Sequence, residues 1–422
     1  MKAIENKKIE ETVYEERLEN GLEVMIIPKK NTQKKYIIWG TNYGSNDNKF
    51  FVKGDKDVTE VPNGVAHYLE HKLFEQKNGR NSLDVLTSLG VNANAYTTNE
   101  YTAYLFECTK NFYEALDEFM DYVQNPYFTD ENVEKERGII SQEIGMYDDS
   151  PEWRVYLNCM KAMYHKNSIK IDIAGTVETI KQIDKDILYK CYNSFYQPKN
   201  MALVVAGDFE PEEILKEIKS RIVKKKEQIE VERIFEEENQ EIVKPYIEEE
   251  FDITQPIFVI GLKDEREKED IVKKHIIIDI LLNIIVGKSS DLYHELYKKG
   301  LVKDYISSNY EFGRNFAHIL ISGQSKDPNM VLQLLKEKIA KIKEKGISTE
   351  EFERSKKKLY GSYVRDFDEI DDISRMFLAD YFQGINSFEY IEKIKDIEIS
   401  EVEETLKKVF DEEKMVISIV KK

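Results

Sequence analysis

The segment Gly64-Val65-Ala66-His67-Tyr68-Leu69-Glu70-His71-Lys72-Leu73-Phe74-Glu75 holds residue types that can do chemistry at a spacing that lets them do it together. Val65, Leu69 and Leu73, with Ala66 and Phe74 nearby, recur at helical intervals, so the segment is predicted to be a helix. His67 and His71 are then one turn apart, about 6 Å along the axis, and their rings can converge on one point. Glu70 lies three residues after His67 and shares that face. This is an H-x-x-E-H pattern, the inverse of H-E-x-x-H. Two neutral imidazoles suit Zn²⁺, and a neighbouring carboxylate can take a proton from water activated there. Two histidines on one helix are as readily ordinary surface residues, although the chain has only six and two fall here. The motif needs a third ligand.

A candidate follows in the helix expected from Glu131 to Tyr147, capped by Thr129 or Asp130 after Pro126. Ile139, Ile140, Ile144 and Tyr147 are expected to form its buried stripe. Glu136 and Glu143 are seven residues apart, two turns, and project from nearly the same side. Glu143 sits beside Ile139 and Ile140, where a buried charge is costly unless paired or bound to metal. A solvated helix face explains two glutamates equally well in a chain this rich in Glu.

The elements that must position these residues repeat along the chain. A shift of 214 residues superposes Ile180 on Ile394, Leu188 on Val402, Tyr192 on Leu406, Phe195 on Val409, Met201 on Met415 and Val205 on Ile419. The earlier members have helical spacing and the later ones alternate, so each half is expected to end in the same helix-then-strand unit. Asp186 and Ser400 coincide as candidate N-caps. Strands are expected at Glu23–Ile27, Tyr36–Thr41, Thr102–Phe106 and Ala202–Val205, and again at Ile257–Ile260, Ile306–Tyr310, Ala317–Ser322 and Val416–Val420. The apolar run Ile276 to Val286 is broken by Asp279 and Asn283, too short to cross a bilayer and suited to a buried helix. The fold class is therefore α+β, with two homologous tandem domains, each a mainly antiparallel sheet backed by helices. The expected divisions are 1–225, a charged segment 226–250 that is a linker or a solvated helix with an edge strand, and 251–422.

Together the two candidate segments resemble the pitrilysin-type (M16) zinc metallopeptidases, in particular their bacterial half-size, processing-protease-like members. The likeness extends to Asn92-Ala93-Asn94-Ala95-Tyr96, Asn125-Pro126-Tyr127-Phe128, Asp172-Ile173-Ala174-Gly175-Thr176 and Tyr196-Gln197-Pro198-Lys199-Asn200-Met201. It is closest to the group that carries His71-Lys72-Leu73-Phe74-Glu75 after the motif. The resemblance implies one Zn²⁺ per chain held by His67, His71 and Glu143, with Glu70 as the base and Glu136 as an auxiliary carboxylate. It implies that a fourth, open position takes water, whose proton Glu70 accepts and later passes to the leaving amine. It also implies that the Asn92–Phe106 region receives an extended peptide by β-addition, with Asn94 as a substrate-binding residue.

One part of the family pattern is missing. Complete members often carry an Arg in the second half and a Tyr seven residues later, which stabilise the substrate carbonyl. Here Tyr297 stands at the Arg position and Lys303 at the Tyr position, with Tyr305 nearby. The resemblance therefore implies a heterodimer in which a second M16-like subunit supplies the Arg/Tyr pair. An active homodimer is the alternative within the enzyme class. A non-catalytic interaction subunit and a structural zinc module are the rivals outside it. The His67, Glu70, His71, Glu143 set weighs against the first, and the distance of all three cysteines from the motif against the second. The other histidines, His165, His275, His294 and His318, are expected at helix ends or on the surface.

Composition bounds the rest. The 422 residues include 80 acidic and 62 basic side chains, a net charge of −18, which argues against nucleic acid or an anionic membrane as partner. Three scattered cysteines (Cys108, Cys159, Cys191) and an N-terminus without an apolar stretch point to a reduced, cytoplasmic protein. Gly287-Lys288-Ser289 lacks the upstream glycine of a phosphate loop, so nucleotide binding is not expected.

Overall fold

The computed structural model describes residues 1–223, 229–304 and 306–422. Its strands are, in chain order, β1 (Lys2–Asn6), β2 (Glu11–Arg17), β3 (Glu23–Pro28), β4 (Lys35–Thr41), β5 (Lys49–Val52), β6 (Thr59–Glu60), β7 (Asn92–Thr97), β8 (Thr102–Cys108), β9 (Met201–Gly207), β10 (Val231–Arg233), β11 (Tyr246–Glu250), β12 (Ile257–Asp264), β13 (Ser307–Phe312), β14 (Ala317–Gln324) and β15 (Met415–Lys421). The eight expected strands are all present. The others fall outside that reading: β1, β2, β6, β7, β10 and β11 are short or polar, and β5 is a four-residue Lys-Phe-Phe-Val segment too short to show a period.

The chain forms two compact units. Unit 1 is Met1–Ile144, Asp172–Ile234 and Arg365–Ser387; unit 2 is Gly145–Ile171, Phe235–Val364 and Phe388–Lys422. One crossing, Ile234 to Phe235, falls inside the charged segment 226–250. The other four send one helix each way. The helix Pro151–Met163 belongs to unit 2, and Ile370–Gln383 belongs to unit 1. Of the charged segment, 226–228 lie outside the described residues. The described remainder carries two short strands, β10 and β11, and no helix.

Unit 1 has a seven-stranded sheet in the order β1-β2-β3-β9-β4-β8-β7, beside a small sheet β10-β5-β6. Only the β3–β9 pair of the large sheet is parallel. Unit 2 has the order β11-β15-β12-β14-β13, again with one parallel pair, β11–β15. Five consecutive strands of the unit 1 sheet, from β3 to the edge strand β7, thus repeat in unit 2. The repeat read from sequence is literal at its end: the helices Lys185–Phe195 and Ile399–Val409, and the strands β9 and β15, are offset by the same 214 residues. All the apolar pairs that defined it are buried. The caps also coincide, but two residues earlier than expected. Asp184 caps the first helix through the Ile187 amide, and Glu398 caps the second in a reciprocal box with Glu401. Asp186 instead sits in the first turn, where its charge faces the positive end of the helix dipole.

Each exchanged helix lies on its sheet at a glycine. In unit 1 a Cβ on Gly40 of β4 would come within 2.8 Å of Phe382 and 3.0 Å of Leu378 on the helix Ile370–Gln383. In unit 2 a Cβ on Gly261 of β12 would come within 2.7 Å of Cys159 and Met163 on the helix Pro151–Met163. The apolar run 276–286 forms the buried helix Ile271–Ile285. Its two polar breaks are answered by neighbours: Tyr363 donates to Asp279 at 2.9 Å, and Lys358 to Asn283 at 2.5 Å. Among the described residues no helix is long and apolar enough to cross a membrane.

His318 departs from its expected surface position. It is fully buried in β14, between the Tyr164 hydroxyl at 2.8 Å and Glu311 at 3.2 Å, because Ala317–Ile321 of β14 are covered on both faces. His275 also makes a specific contact, with the Tyr390 hydroxyl at 2.8 Å.

Unit 2 contains a buried ion pair with an anion cradle around it. Glu238 accepts from the backbone N–H groups of His165, Lys166 and Asn167 at 2.8, 2.7 and 2.7 Å, and from Lys263 Nζ at 2.8 Å. Burial alone would raise its pKa, but Lys263 and the three amides bring it down to about 2. A depressed carboxylate contributes stability that is complete above its unfolded value and is lost as pH falls through its folded value. Glu238→Ala leaves Lys263 buried without its counter-ion and is expected to cost about 3 kcal/mol at pH 7. The cost should shrink from near pH 4.5 downward. Urea denaturation at pH 7 and pH 3 checks both expectations; equal losses at the two pH values would contradict the charge-based account.

Candidate metal centre

The histidine helix runs Val65–Leu73 and starts at Gly64, whose φ is 97°. A Cβ there would lie 2.5 Å from the Ala174 carbonyl oxygen, and one on Gly175 would lie 2.5 Å from that of Asn63. Two glycine-bearing segments therefore cross in contact, which explains the Asp172–Thr176 motif in packing terms. The glutamate helix runs Asp130–Asp148. Thr129 caps it: its hydroxyl accepts from the Asn132 amide at 3.1 Å, while the Asn132 side chain accepts from the Thr129 amide at 2.9 Å. The two helices are tied directly, since the buried Tyr68 hydroxyl donates to the Val133 carbonyl. Arg137 holds the glutamate helix to the Ile180 and Ile183 carbonyls at 3.3 and 2.9 Å.

The helix pair brings the expected residues together. Among the described residues, one group of His, Cys, Asp and Glu side chains could hold a metal ion: His67, His71 and Glu143, with ligand atoms all within 4.8 Å of one another. Glu143 Oε1 is 3.6 Å from His67 Nε2, and Oε2 is 3.3 Å from His71 Nε2. Glu136 Oε1 lies 3.1 Å from His71 Nδ1. A carboxylate can only accept, so Nδ1 carries the proton in that bond, which leaves Nε2, the nitrogen that faces Glu143, as the one that would take a metal ion. Two imidazoles and one carboxylate are a donor set of zinc, with three protein ligands as catalytic sites have. The residues present therefore fit the ion.

Glu70 is held apart from that group. It is 8% exposed, and its Oε2 accepts from the Thr97 hydroxyl at 2.6 Å. Burial raises its pKa above the ordinary carboxylate value, against the opposing pull of His67 and Thr97. Glu143 is the contrary case: hydrogen bonding to His67 and His71 holds its carboxyl well below the usual range. For Glu136, burial alone would raise the pKa, but His71 and Lys72 bring it below the ordinary value. His71 would be lowered by burial, yet its bonds to Glu136 and Glu143 push it up to about 10. The site is thus built to hold positive charge among carboxylates.

Asn94 is exposed on β7, which is the free edge of the large sheet. Its side chain accepts from the Ala95 amide at 2.9 Å. A cavity of about 450 Å³ adjoins the histidines, lined by Glu70, His71, Phe74, Asn94, Ala95 and Ile139 among others. The buried stripe of the glutamate helix is narrower than expected. Ile140 and Ile144 are buried, but Ile139 and Tyr147 are 47% and 38% exposed. Thr97 and Lys72 were not foreseen. The period-two alternation of β7 could have put Thr97 on the face of Ala93 and Ala95, but not its contact with Glu70. At the position expected for Arg, Tyr297 is 58% exposed on the helix Asp291–Lys298. Tyr305 lies outside the described residues.

Comparison with known proteins follows the same lines. Residues 56–177 match the family described as insulinase (peptidase family M16), and residues 182–359 match the peptidase M16 inactive domain. An uncharacterized zinc protease of Bacillus subtilis, YmfH, is 34% identical over 99% of this chain and 98% of its own length. The mitochondrial-processing peptidase subunit beta of Bos taurus is 28% identical over 166 residues, 38% of this chain and 34% of that protein. A crystal structure described as an M16-like peptidase from Alicyclobacillus acidocaldarius superposes with a TM-score of 0.94 at 32% identity, covering 99% of this chain and 100% of that one.

Proposed function

The chain belongs to peptidase family M16, and from that premise we propose that it is a zinc-dependent endopeptidase acting on peptides or short unfolded segments. The observation that carries the reading is the convergence of His67, His71 and Glu143 beside a separately held Glu70. His67 Nε2, His71 Nε2 and a Glu143 oxygen would hold the ion. Bound there, zinc supplies Lewis acidity toward water and toward a peptide carbonyl. Glu70 takes the proton of the attacking water and delivers it to the departing amine, a role that its raised pKa suits. Glu136 orients His71 through Nδ1. An extended substrate adds to the free edge of β7, with Asn94 contacting it and one side chain entering the adjoining cavity.

The exposed Tyr297 and the lysine at position 303 support a two-chain enzyme whose partner, a second M16-like subunit, supplies the Arg/Tyr pair. Mitochondrial-processing peptidase beta is itself a named subunit. The three buried free thiols support a reducing, cytoplasmic setting.

The test is zinc content of protein purified without added metal, followed by cleavage of an unfolded peptide by the chain alone and with a subunit carrying the Arg/Tyr pair. About one zinc per chain, with turnover appearing on addition of the partner, is expected. Full turnover by the homogeneous single chain overturns the two-chain part. Absence of zinc even after reconstitution overturns the peptidase mechanism and leaves an interaction subunit.

Thr97 gives a finer check. A hydrogen bond to a charged group is worth about 1.5–3 kcal/mol, so Thr97→Val is expected to lower kcat about 10–100-fold. Zinc content should be unchanged, and Thr97→Ser should restore most of the rate. Equal kcat for Thr97→Val and wild type would remove Thr97 from the mechanism.

A further inference from the structure

We infer that Lys72 is a positioning residue for the metal centre, acting on His71 through Glu136; this rests on the zinc reading above. Lys72 follows His71 by one residue, so it points about 100° away around the helix and is no ligand. Its side chain is nevertheless fully buried, 0% exposed, which is rare for lysine. Nζ lies 2.5 Å from Glu75 Oε2, three residues on and just past the end of the histidine helix, and 3.4 Å from Glu136 Oε2 on the other helix.

Glu136 is the shared node. Its Oε1 accepts from His71 Nδ1 at 3.1 Å and its Oε2 from Lys72. A carboxylate with each oxygen assigned to a different donor cannot rotate without breaking one bond. Lys72 therefore fixes the plane of Glu136, and Glu136 in turn fixes the ring of His71 with Nε2 turned toward Glu143. Glu75 holds Lys72 from the other side. A lysine kept only for stability would be an expensive choice, since apolar replacements of buried ion pairs are often neutral or stabilising. Loss of a residue that orients a metal-bound histidine typically weakens metal binding 10–100-fold.

The test measures zinc affinity by competition with a chelating dye, together with the visible spectrum of the cobalt-substituted protein. Four variants are compared with wild type: Lys72→Met, Lys72→Met/Glu75→Gln, Glu136→Gln and Lys72→Met/Glu136→Gln. The second removes one positive and one negative charge together, so it keeps the test open should Lys72→Met fail to fold. We expect about 10–100-fold weaker zinc binding and an altered cobalt spectrum in the first two. We expect Lys72→Met/Glu136→Gln to bind no more weakly than Glu136→Gln, because Lys72 acts only through Glu136. Wild-type zinc affinity in folded Lys72→Met or in Lys72→Met/Glu75→Gln overturns the inference, as does a further additive loss in Lys72→Met/Glu136→Gln. Wild-type protein that takes up no zinc overturns the zinc reading itself, a distinct outcome.

Discussion

Glu70→Gln is expected to retain about one zinc per chain and to lose peptide hydrolysis by about 10²–10⁴-fold, the range of a general base. The two halves of that expectation come from separate contacts. The candidate ligand atoms belong to His67, His71 and Glu143, and Glu70 is outside the group. Glutamine has nearly the same shape, and its carbonyl oxygen can keep the bond from Thr97 that fixes Glu70 Oε2 at 2.6 Å. What it lacks is a basic oxygen. Metal analysis and kcat in the active assembly check the pair of outcomes together. Zinc retained with turnover unchanged would mean that another group takes the proton. Zinc lost would mean that Glu70 belongs to the ligand set.

The residues of the candidate centre were legible because helix geometry is local. His67 and His71 at i, i+4, and Glu136 and Glu143 at i, i+7, fix which side chains share a face before any tertiary contact is known. The glutamate helix shows where this fails. Reading its buried stripe from hydropathy assigned Ile139 and Tyr147 to the interior, yet both are substantially exposed. The packed face is Val133, Glu136, Ile140, Glu143 and Ile144, at helical spacing, with two carboxylates on it because the histidine helix answers them. Polar residues were part of the stripe, and hydropathy could not count them. Ile139 is left to line the cavity beside the histidines.

The division into units illustrates a second limit. The 214-residue repeat exposed the duplication, since apolar positions in a helix-then-strand unit recur in register. It could not show that Pro151–Met163 serves unit 2 and Ile370–Gln383 serves unit 1. An amphipathic helix states that one face must be covered, but not by which sheet. The choice is made by shape, at Gly40 and Gly261, where a missing Cβ lets the helix approach. Lys72 and Thr97 escaped for a related reason. Each acts on a neighbour distant in sequence, Glu136 and Glu70, through a contact that no periodicity encodes.

His71→Ala and Glu143→Gln are expected to lose zinc, and the metal-free wild type to show why the ion is held there. If three ligands share a binding free energy of about 10–16 kcal/mol, removing one costs about 3–5 kcal/mol, or about 10²–10⁴ in affinity. Without metal, a proton takes over part of the ion's role. Glu136 and Glu143 flank His71 on its two ring nitrogens, with Glu70 adding to the field, and raise it to about 10 despite burial. Zinc must displace that proton, so its apparent affinity should climb with pH up to about 10. The stability of the metal-free protein should move the other way. A raised histidine contributes fully below its unfolded value near 6.5 and loses the contribution as pH rises through about 10. Glu143, depressed by its histidines, contributes above about 4.5 and loses it toward acid. Metal-free wild type should therefore gain most from this cluster between about pH 4.5 and 6.5, and His71→Ala should lack the alkaline decline. Denaturation of metal-free wild type and His71→Ala from pH 5 to pH 10, beside zinc titrations over the same range, reads both trends. Parallel pH curves for the two proteins would show that His71 does not carry the charge, and that the carboxylates draw zinc by some other arrangement.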